Sequence, residues 1–212
     1  MFFQEEIETC SREELDRIQD ERLVCQVNHL WNNVKFYKAK MEKLNLYPDD
    51  IKGKKDLYKL PFLDKDDLKD TYPYGLFAVD KKDCVRIQST SGTTGKRVIA
   101  GYTARDVDIW EECCARALAT ANVDSDNICQ IAYGYGLFTG GAGLHGGSHK
   151  LGSMTVPMSS GNTDRQIQFM IDLGSTFLCC TPSYAAYLAE CIEEAGALDK
   201  IKLKGGIFGA EP

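Results

Sequence analysis

A chain of 212 residues with 43% hydrophobic and 26% charged side chains has the composition of an ordinary globular protein. The formal net charge of −6 disfavours a general surface for nucleic acid or anionic membranes, because both are polyanions. No apolar run approaches the ~20 residues of a membrane-spanning helix, and the acidic residues 1–6 do not resemble a signal peptide. We therefore expect a cytoplasmic protein that binds neither nucleic acid nor membrane.

The first third of the sequence is predicted to be helical. Ser11 and Glu14 have the spacing of a capping box, which predicts that a long helical stretch begins there and runs to about Leu44. The turn-forming residues 72–75 mark a boundary. We predict an N-terminal helical region over residues 1–75 and an α/β domain over residues 76–212.

Two strand-like runs, residues 84–88 and 98–102, flank a segment of glycine and hydroxyl residues that ends in a lysine, which predicts a hairpin with a long tip. Exposed amides, hydroxyls and one ammonium group favour anionic oxygens, so the tip is a candidate phosphate-binding loop. It is not a Walker loop, because the glycine spacing is too short and Arg97 stands where a magnesium-binding hydroxyl is required. An ordinary polar turn is the alternative.

Beyond the hairpin, Thr103 is predicted to cap a helix, and from Ile128 the pattern alternates between short apolar runs and helical segments. Thr163 and Gln166 have the spacing of a second capping box, with Gly174 as the helix stop. Thr181 is predicted to cap the next helix, which Pro182 opens. Short apolar strands that alternate with helices predict a parallel, doubly wound sheet. The predicted strands are residues 128–132, 154–157, 177–180 and 206–208.

The nine cysteines are predicted to be reduced, buried side chains, because their number is odd and no C-x-x-C spacing occurs. His145 and His149 are four residues apart, but Gly146, Gly147 and Ser148 between them disfavour a rigid helical metal face. We interpret the two histidines as a polar helix start and a surface residue, and we predict no metal ligands in this chain.

The segment from Ser89 to Lys96 resembles the phosphate loop of the adenylate-forming superfamily, although Arg97 replaces the usual proline. Residues 133–141 and 209–212, together with 72–77 and 181–184, resemble one branch of that superfamily, the phenylacetate–coenzyme A ligases. The resemblance runs from about Met1 to the last residue. It implies activation of phenylacetate with ATP to an acyl adenylate and then to phenylacetyl-CoA, with Mg²⁺ and coenzyme A, in a cytoplasmic homodimer.

The resemblance also assigns three groups of site residues. The aromatic rings beside glycines after the first strand of the sheet independently suit a flat, apolar slot for a phenyl ring, although an aromatic core turn explains them equally well. The ATP phosphates are assigned to Thr90, Ser91, Gly92, Thr93, Thr94, Gly95 and Lys96. The acyl pocket is assigned to Tyr133, Tyr135, Phe138, Gly140, Gly141, Ala142 and His145. Adenine and ribose are assigned to Gly209, Ala210, Glu211 and Pro212.

No helix follows the last predicted strand, so we expect this chain to be an N-terminal portion that is not fully active alone. The catalytic lysine and the magnesium-binding glutamate that the resemblance implies would lie beyond Pro212. Two alternatives stay open: a non-catalytic module that binds nucleotide or dimerises through a sheet edge, and a ligase for another aryl acid such as benzoate or indoleacetate.

Overall fold

The computed structural model describes residues 1–90 and 97–211, which pack as two units. One unit is Glu5–Ala104, and the other is Arg105–Pro212 with Met1–Gln4. The domain boundary after residue 75 stays a prediction. Among the described residues, no helix combines the length and apolarity that crossing a membrane requires.

The first unit contains α1 (Glu5–Glu8), α2 (Arg12–Asn33), α3 (Lys35–Lys43), α4 (Lys65–Asp70), β1 (Cys84–Ser89) and β2 (Ile99–Thr103). The second contains α5 (Ala104–Thr120, whose first residue belongs to the first unit), β3 (Ile128–Ile131), α6 (Thr139–Lys150), β4 (Met154–Val156), α7 (Thr163–Leu173), β5 (Phe177–Cys180), α8 (Pro182–Glu194) and β6 (Gly205–Phe208).

Two helices in the first unit replace the single helical stretch predicted from the sequence. The Ser11 hydroxyl accepts a hydrogen bond from the Glu14 N–H, so the predicted cap of α2 is present. The prediction of one helix is wrong at Val34, whose backbone is extended with φ −113° and ψ 92°. The side chain of Val34 is buried in the core of this unit, and that burial offsets the cost of interrupting the helix. The core also contains Val27, Tyr37, Met41, Leu46 and Ile51.

The predicted hairpin is confirmed. β1 and β2 pair antiparallel, with Ser89 opposite Ile99 at the open end. The Thr90 N–H donates to the Val98 carbonyl at 3.1 Å and the Val98 N–H donates to the Thr90 hydroxyl at 3.1 Å, so pairing continues one step beyond the strands. The remaining residues of the predicted phosphate loop, Ser91 to Lys96, lie outside the described residues.

The second unit is built on a four-stranded parallel sheet in the order β4-β3-β5-β6, which confirms the predicted fold class. The strand order reverses at β3, because β4 lies on one side of it and β5 on the other. Successive residues of β5 point to opposite faces: Phe177 and Cys179 pack with Leu118 of α5, whereas Leu178 and Cys180 pack with α7 and α8. Helices therefore cover both faces of the sheet.

The cap of α7 differs from the prediction. Asn162 precedes the helix in the left-handed region with φ 51°, and Thr163 is already helical. The predicted capping box is wrong because Gln166 is completely buried and its amide bonds elsewhere. Gly174, with φ 66°, ends the helix as predicted.

Helix α6 runs very close to α5 through glycines on one side. A Cβ added to Gly143 would lie 2.4 Å from the Trp110 ring nitrogen, and one added to Gly147 would lie 2.7 Å from the Ala115 backbone nitrogen. Backbone atoms cannot yield as a flexible side chain can, so this contact requires glycine.

All nine cysteines are free, as predicted, but they are not all buried. Cys129, Cys179 and Cys180 are core residues of the sheet, and burial raises the pKa of the Cys179 thiol to about 12. Cys25 of α2 and Cys113 of α5 are exposed.

Candidate functional site

The carboxyl ends of the parallel strands bring three segments together at one edge of the sheet. β3 leads into Tyr133, β5 leads into Thr181 and the start of α8, and β6 leads into Gly209. The strand order reverses at β3, and open α/β sheets bind ligands beyond the carboxyl ends of the strands at such a reversal. The residues predicted for the acyl pocket follow β3 in the chain. Those predicted for adenine and ribose that the structure describes follow β6.

Tyr133 connects the first and third of these segments. Its hydroxyl donates a hydrogen bond to the Gly209 carbonyl at 3.2 Å, between residues that are 76 positions apart in the sequence. Burial raises the pKa of this hydroxyl. A residue assigned to the acyl pocket therefore contacts one assigned to the nucleotide.

Tyr135 and His145 form a second pair. The Tyr135 hydroxyl lies 3.1 Å from the His145 Nδ1, and the rings meet edge to face with centroids 5.9 Å apart. Burial raises the pKa of Tyr135 to about 12, which is further above neutral pH than the ordinary value of 10. Two neutral phenols at this edge add hydrogen-bonding groups without adding charge that would repel a carboxylate.

His145 and His149 lie on one side of α6, with ring centroids 4.3 Å apart. The interpretation of His145 as a polar helix start is wrong, because α6 is continuous from Thr139 to Lys150 despite its glycines. Among the described residues, no group of three or more histidine, cysteine, aspartate or glutamate side chains is arranged to hold a metal ion.

The other predicted acyl-pocket residues lie at the start of α6. Phe138 is 57% exposed, and the Cβ position of Gly140 is 3.5 Å from the Tyr133 ring. Gly141 is buried, and a Cβ there would lie 2.9 Å from the Gly134 carbonyl oxygen. Ala142 is half-buried. The absence of a side chain at Gly141 thus serves close packing of the backbone, and its role toward a substrate stays a prediction.

Glu211 follows β6 and binds the first turn of α8. One carboxylate oxygen accepts the Ser183 N–H at 2.9 Å and the other accepts the Ser183 hydroxyl at 2.8 Å. These bonds, with the side-chain bond dominant, hold the pKa of Glu211 below its ordinary value. Ala210 lies between Gly209, which is bonded by Tyr133, and Glu211, which is bonded to Ser183. Its φ of 71° is a left-handed conformation that is costly for a residue with a side chain. Pro212 lies outside the described residues.

Sequence reasoning missed two features of this edge. It identified Thr181 as the cap of α8, which the Tyr184 N–H confirms, but gave Ser183 no role. It also missed a buried amide pair, Gln130 and Gln166, that lies under the loop after β4. A glutamine in the middle of an apolar strand was the available signal for that pair.

Known proteins that resemble this chain in sequence are phenylacetate–coenzyme A ligases. No family model matches the chain. It is 42% identical over 213 aligned residues to a phenylacetate–coenzyme A ligase of Thermus thermophilus. That alignment covers 100% of this chain and 48% of the relative. It is 44% identical to such a ligase of Aromatoleum evansii, covering 98% of this chain and 48% of the relative. A further ligase of this name, from Escherichia coli, is 42% identical over 97% of this chain and 48% of the relative.

Among solved structures, a 2-hydroxyisobutyryl-CoA ligase in complex with 2-HIB-AMP and CoA matches with a TM-score of 0.90 and 25% identity, over 96% of this chain and 45% of that one. The postadenylation state of that ligase matches with a TM-score of 0.89 at 24% identity, over 96% of this chain and 44% of that one. This second match supports the fold only. The resemblance indicated by the motifs is confirmed, and the chain spans about half the length of the curated relatives it matches.

Proposed function

We propose that this chain is part of an AMP-forming phenylacetate–coenzyme A ligase, which activates phenylacetate with ATP and then transfers the acyl group to coenzyme A. Similarity along the whole chain to three ligases of that name supports the family assignment. The observation that carries the proposal is the hydrogen bond from Tyr133 to Gly209, because it joins the two segments assigned to the acid and to the nucleotide. An acyl adenylate needs both halves of its binding site at one crevice.

The chemistry requires that charge be neutralised and that the reactants be aligned. The carboxylate oxygen of the acid attacks the α-phosphorus of ATP, and pyrophosphate leaves; the thiolate of coenzyme A then attacks the acyl carbon, and AMP leaves. In the first step, anionic oxygens meet an anionic nucleophile, so catalysis depends on electrostatic stabilisation and positioning. We assign the amides and hydroxyls of the hairpin tip, with Lys96, to the phosphates that become pyrophosphate.

The residues after β3 are assigned to the acid. Tyr133 and Tyr135 present half-buried rings whose phenols are neutral at physiological pH, so they add no charge where an anionic acid must bind. Gly209, Ala210 and Glu211 are assigned to the adenosine part of ATP. Mg²⁺ would accompany ATP and neutralise its phosphates. The part of the chain that the structure describes offers no cluster of three ligands for it, so we assign it no residue and no step.

ATP–pyrophosphate exchange dependent on phenylacetate tests the proposal. We suggest measuring it with this chain and with a fusion of the chain to the part of the Thermus thermophilus relative outside the match, called the fusion below. Phenylacetate-dependent exchange by the fusion is expected. Absence of exchange from both proteins, with each shown to be folded by circular dichroism, would overturn the proposal.

Lys96→Ala tests the phosphate assignment separately. We expect kcat/KM for ATP in the fusion to fall at least about tenfold, which is ~1.4 kcal/mol of transition-state stabilisation. The matched control is Lys82→Ala, because Lys82 is a lysine of the same unit whose side chain is 77% exposed. An unchanged kcat/KM for ATP in Lys96→Ala would remove the hairpin tip from the site.

The identity of the acid needs a panel of substrates. Phenylacetate, benzoate, indoleacetate and a short aliphatic acid can be compared by pyrophosphate release from the fusion. We expect the highest kcat/KM for phenylacetate. A higher value for another aryl acid would keep the mechanism and change the substrate.

We further propose that the protein is a homodimer. β4, at the opposite edge of the sheet from β6, pairs only with β3 within the described residues, and a strand edge without a partner favours pairing with another chain. Light scattering coupled to size exclusion should report twice the monomer mass; the monomer mass at all concentrations would contradict this.

A further inference from the structure

The loop between β4 and α7 adopts an unusual backbone conformation next to the tyrosine segment. Ser159, Gly161 and Asn162 have φ values of 65°, 82° and 51°, and two of these three residues carry side chains that disfavour such angles. The Ser159 N–H donates to the Ile131 carbonyl, at the end of β3, at 3.1 Å. The loop is therefore bound to the strand that leads into Tyr133.

A completely buried side chain holds this loop from below. The Gln166 amide nitrogen donates to the Ser159 carbonyl at 2.7 Å and to the Gly161 carbonyl at 3.4 Å. These bonds use both amide hydrogens of Gln166. They fix the two carbonyls that flank Ser160, so they determine the path of the chain through that residue.

Gln166 is itself oriented by a second buried amide. The Gln130 amide nitrogen donates to the Gln166 side-chain oxygen at 2.7 Å and to the Gln166 backbone carbonyl at 3.1 Å. The Ser175 hydroxyl donates to the Gln130 side-chain oxygen at 2.8 Å. Ser175, Gln130 and Gln166 are fully buried, and each amide oxygen and each amide hydrogen has a partner. A fully satisfied buried network is rigid, because each orientation change would leave a polar atom unpaired.

The position of Ser160 indicates what the rigid loop does. Its hydroxyl lies 3.5 Å from the point where Gly134 would carry a Cβ, and Gly134 separates Tyr133 from Tyr135. Gly134 has no side chain to fill this space, and Ser160 itself is exposed. An exposed loop residue therefore borders the same space as the backbone between the two tyrosines.

We propose that loop 158–162 is a wall of the acid-binding slot, that the size of residue 160 limits which aryl acids enter, and that Gln166 is the positioning residue that holds this wall. The inference rests on the proposed function, because it needs the ring of the acid to lie along Tyr133 and Tyr135. Costly backbone angles held by a buried polar network are typical of functional loops.

Ser160→Leu in the fusion is the decisive variant. We expect the KM for phenylacetate to rise at least about tenfold, and more for phenylacetates that carry a ring substituent, because a bulkier wall rejects larger rings. The KM for ATP should stay within about twofold, which distinguishes a lost acid contact from general damage. An unchanged KM for phenylacetate and for its substituted forms would overturn the inference.

Ser125→Leu is the matched control. Ser125 is an exposed serine in the loop that precedes β3, at the opposite edge of the sheet, and its Cβ lies 3.6 Å from the Cβ position of Gly152. It thus repeats the contact of a serine with a glycine away from the slot. Equal changes in KM for the acid in both variants would count against the wall.

Gln166→Met tests the positioning role. It keeps the volume of the side chain and removes the bonds to the loop, so the KM for phenylacetate should rise while the KM for ATP stays within about twofold. Changes of equal size in both constants would indicate a structural role only and overturn the assignment of Gln166. If this variant does not fold, Gly161→Ala strains the same loop, because Gly161 has φ 82° and an added Cβ would meet nothing within 4 Å; the same difference between the two KM values is then required.

Failure of the proposed function is distinguishable from failure of this inference. If the unsubstituted fusion shows no exchange, the proposed function fails, and saturation-transfer NMR with phenylacetate then tests the wall directly. Loss of the transfer signal in Ser160→Leu but not in Ser125→Leu would support the wall. Equal signals, or no signal from the unsubstituted protein, would overturn it.

Discussion

Two segments at the carboxyl edge of the sheet hold a costly backbone angle by opposite means. The turn after β6 contains Ala210 at φ 71° and is anchored by an exposed carboxylate, Glu211, on the start of α8. The loop after β4 contains Ser159 at φ 65° and is anchored by the buried, neutral amide of Gln166. A charged anchor at the surface can be titrated and screened by salt, whereas a buried amide is insensitive to both.

The largest expected effect comes from breaking the buried anchor. Gln130→Leu removes the partner of Gln166 and leaves the Ser175 hydroxyl without its acceptor, so we expect a loss of about 2–3 kcal/mol in the free energy of unfolding. Urea denaturation of this chain measures it. Gln168→Leu on the exposed side of α7 is the control, since the Gln168 amide donates to an exposed aspartate, Asp172. A loss below that of the control would show that the network is not stabilising.

Adding Gln166→Leu to Gln130→Leu sharpens the same result. Because the two amides satisfy each other, the double variant should lose less stability than the sum of the single losses, with a coupling of about 1–2 kcal/mol. Strictly additive losses would mean that the two side chains act independently.

A smaller effect is expected where Tyr133 fixes the turn after β6. Tyr133→Phe keeps the ring and removes the bond to the Gly209 carbonyl, so unfolding should need about 1 kcal/mol less. Tyr187→Phe, an exposed tyrosine on α8, is the control. If Tyr133→Phe is as stable as the unsubstituted chain, the bond contributes nothing to holding the turn.

Glycine substitutions compare the two costly angles directly. Ala210→Gly relieves a left-handed alanine, so it should be neutral or stabilise the fold by up to about 1 kcal/mol. Ser159→Gly should do the same if the cost of the angle resides in the side chain. Thermal unfolding of the two variants, with the exposed Ala189→Gly in α8 as a destabilising control, measures the difference.

The smallest effect is the pH dependence of the exposed anchor. The folded-state pKa of Glu211 lies below the ordinary value of 4.5, so its contribution to stability is complete above that pH and is lost as the pH falls through the lowered pKa. Stability curves of the unsubstituted chain and Glu211→Gln should therefore converge toward low pH. Parallel curves for Glu211→Gln would contradict the assignment.

Local signals explain what could be predicted from the sequence. Thr181 followed by Pro182 predicted the start of α8, Gly174 predicted the end of α7, and the apolar runs predicted the parallel strands, because each signal acts within a few residues. The interruption at Val34 could not be predicted, since the burial that favours it depends on a core that also includes Ile51 and Leu76, which lie outside the two helices.

The assembly of the site lies beyond such signals. The contact from Tyr133 to Gly209 spans 76 positions and depends on the strand order β3-β5-β6, which the sequence pattern does not determine. Gln166 was interpreted as a helix cap because its spacing from Thr163 fits one; only the sheet packed against α7 turns the same residue into a buried partner of Gln130.

The glycine contact between α5 and α6 has a consequence for insertions and deletions. Adding one residue to α6 before Gly143 would rotate the rest of the helix by about 100°, carrying His145 away from Tyr135 and driving side chains into Trp110. We therefore expect insertions and deletions in this helix to be more damaging than single substitutions. A relative with the same arrangement should keep the same number of residues between Tyr135 and Gly147.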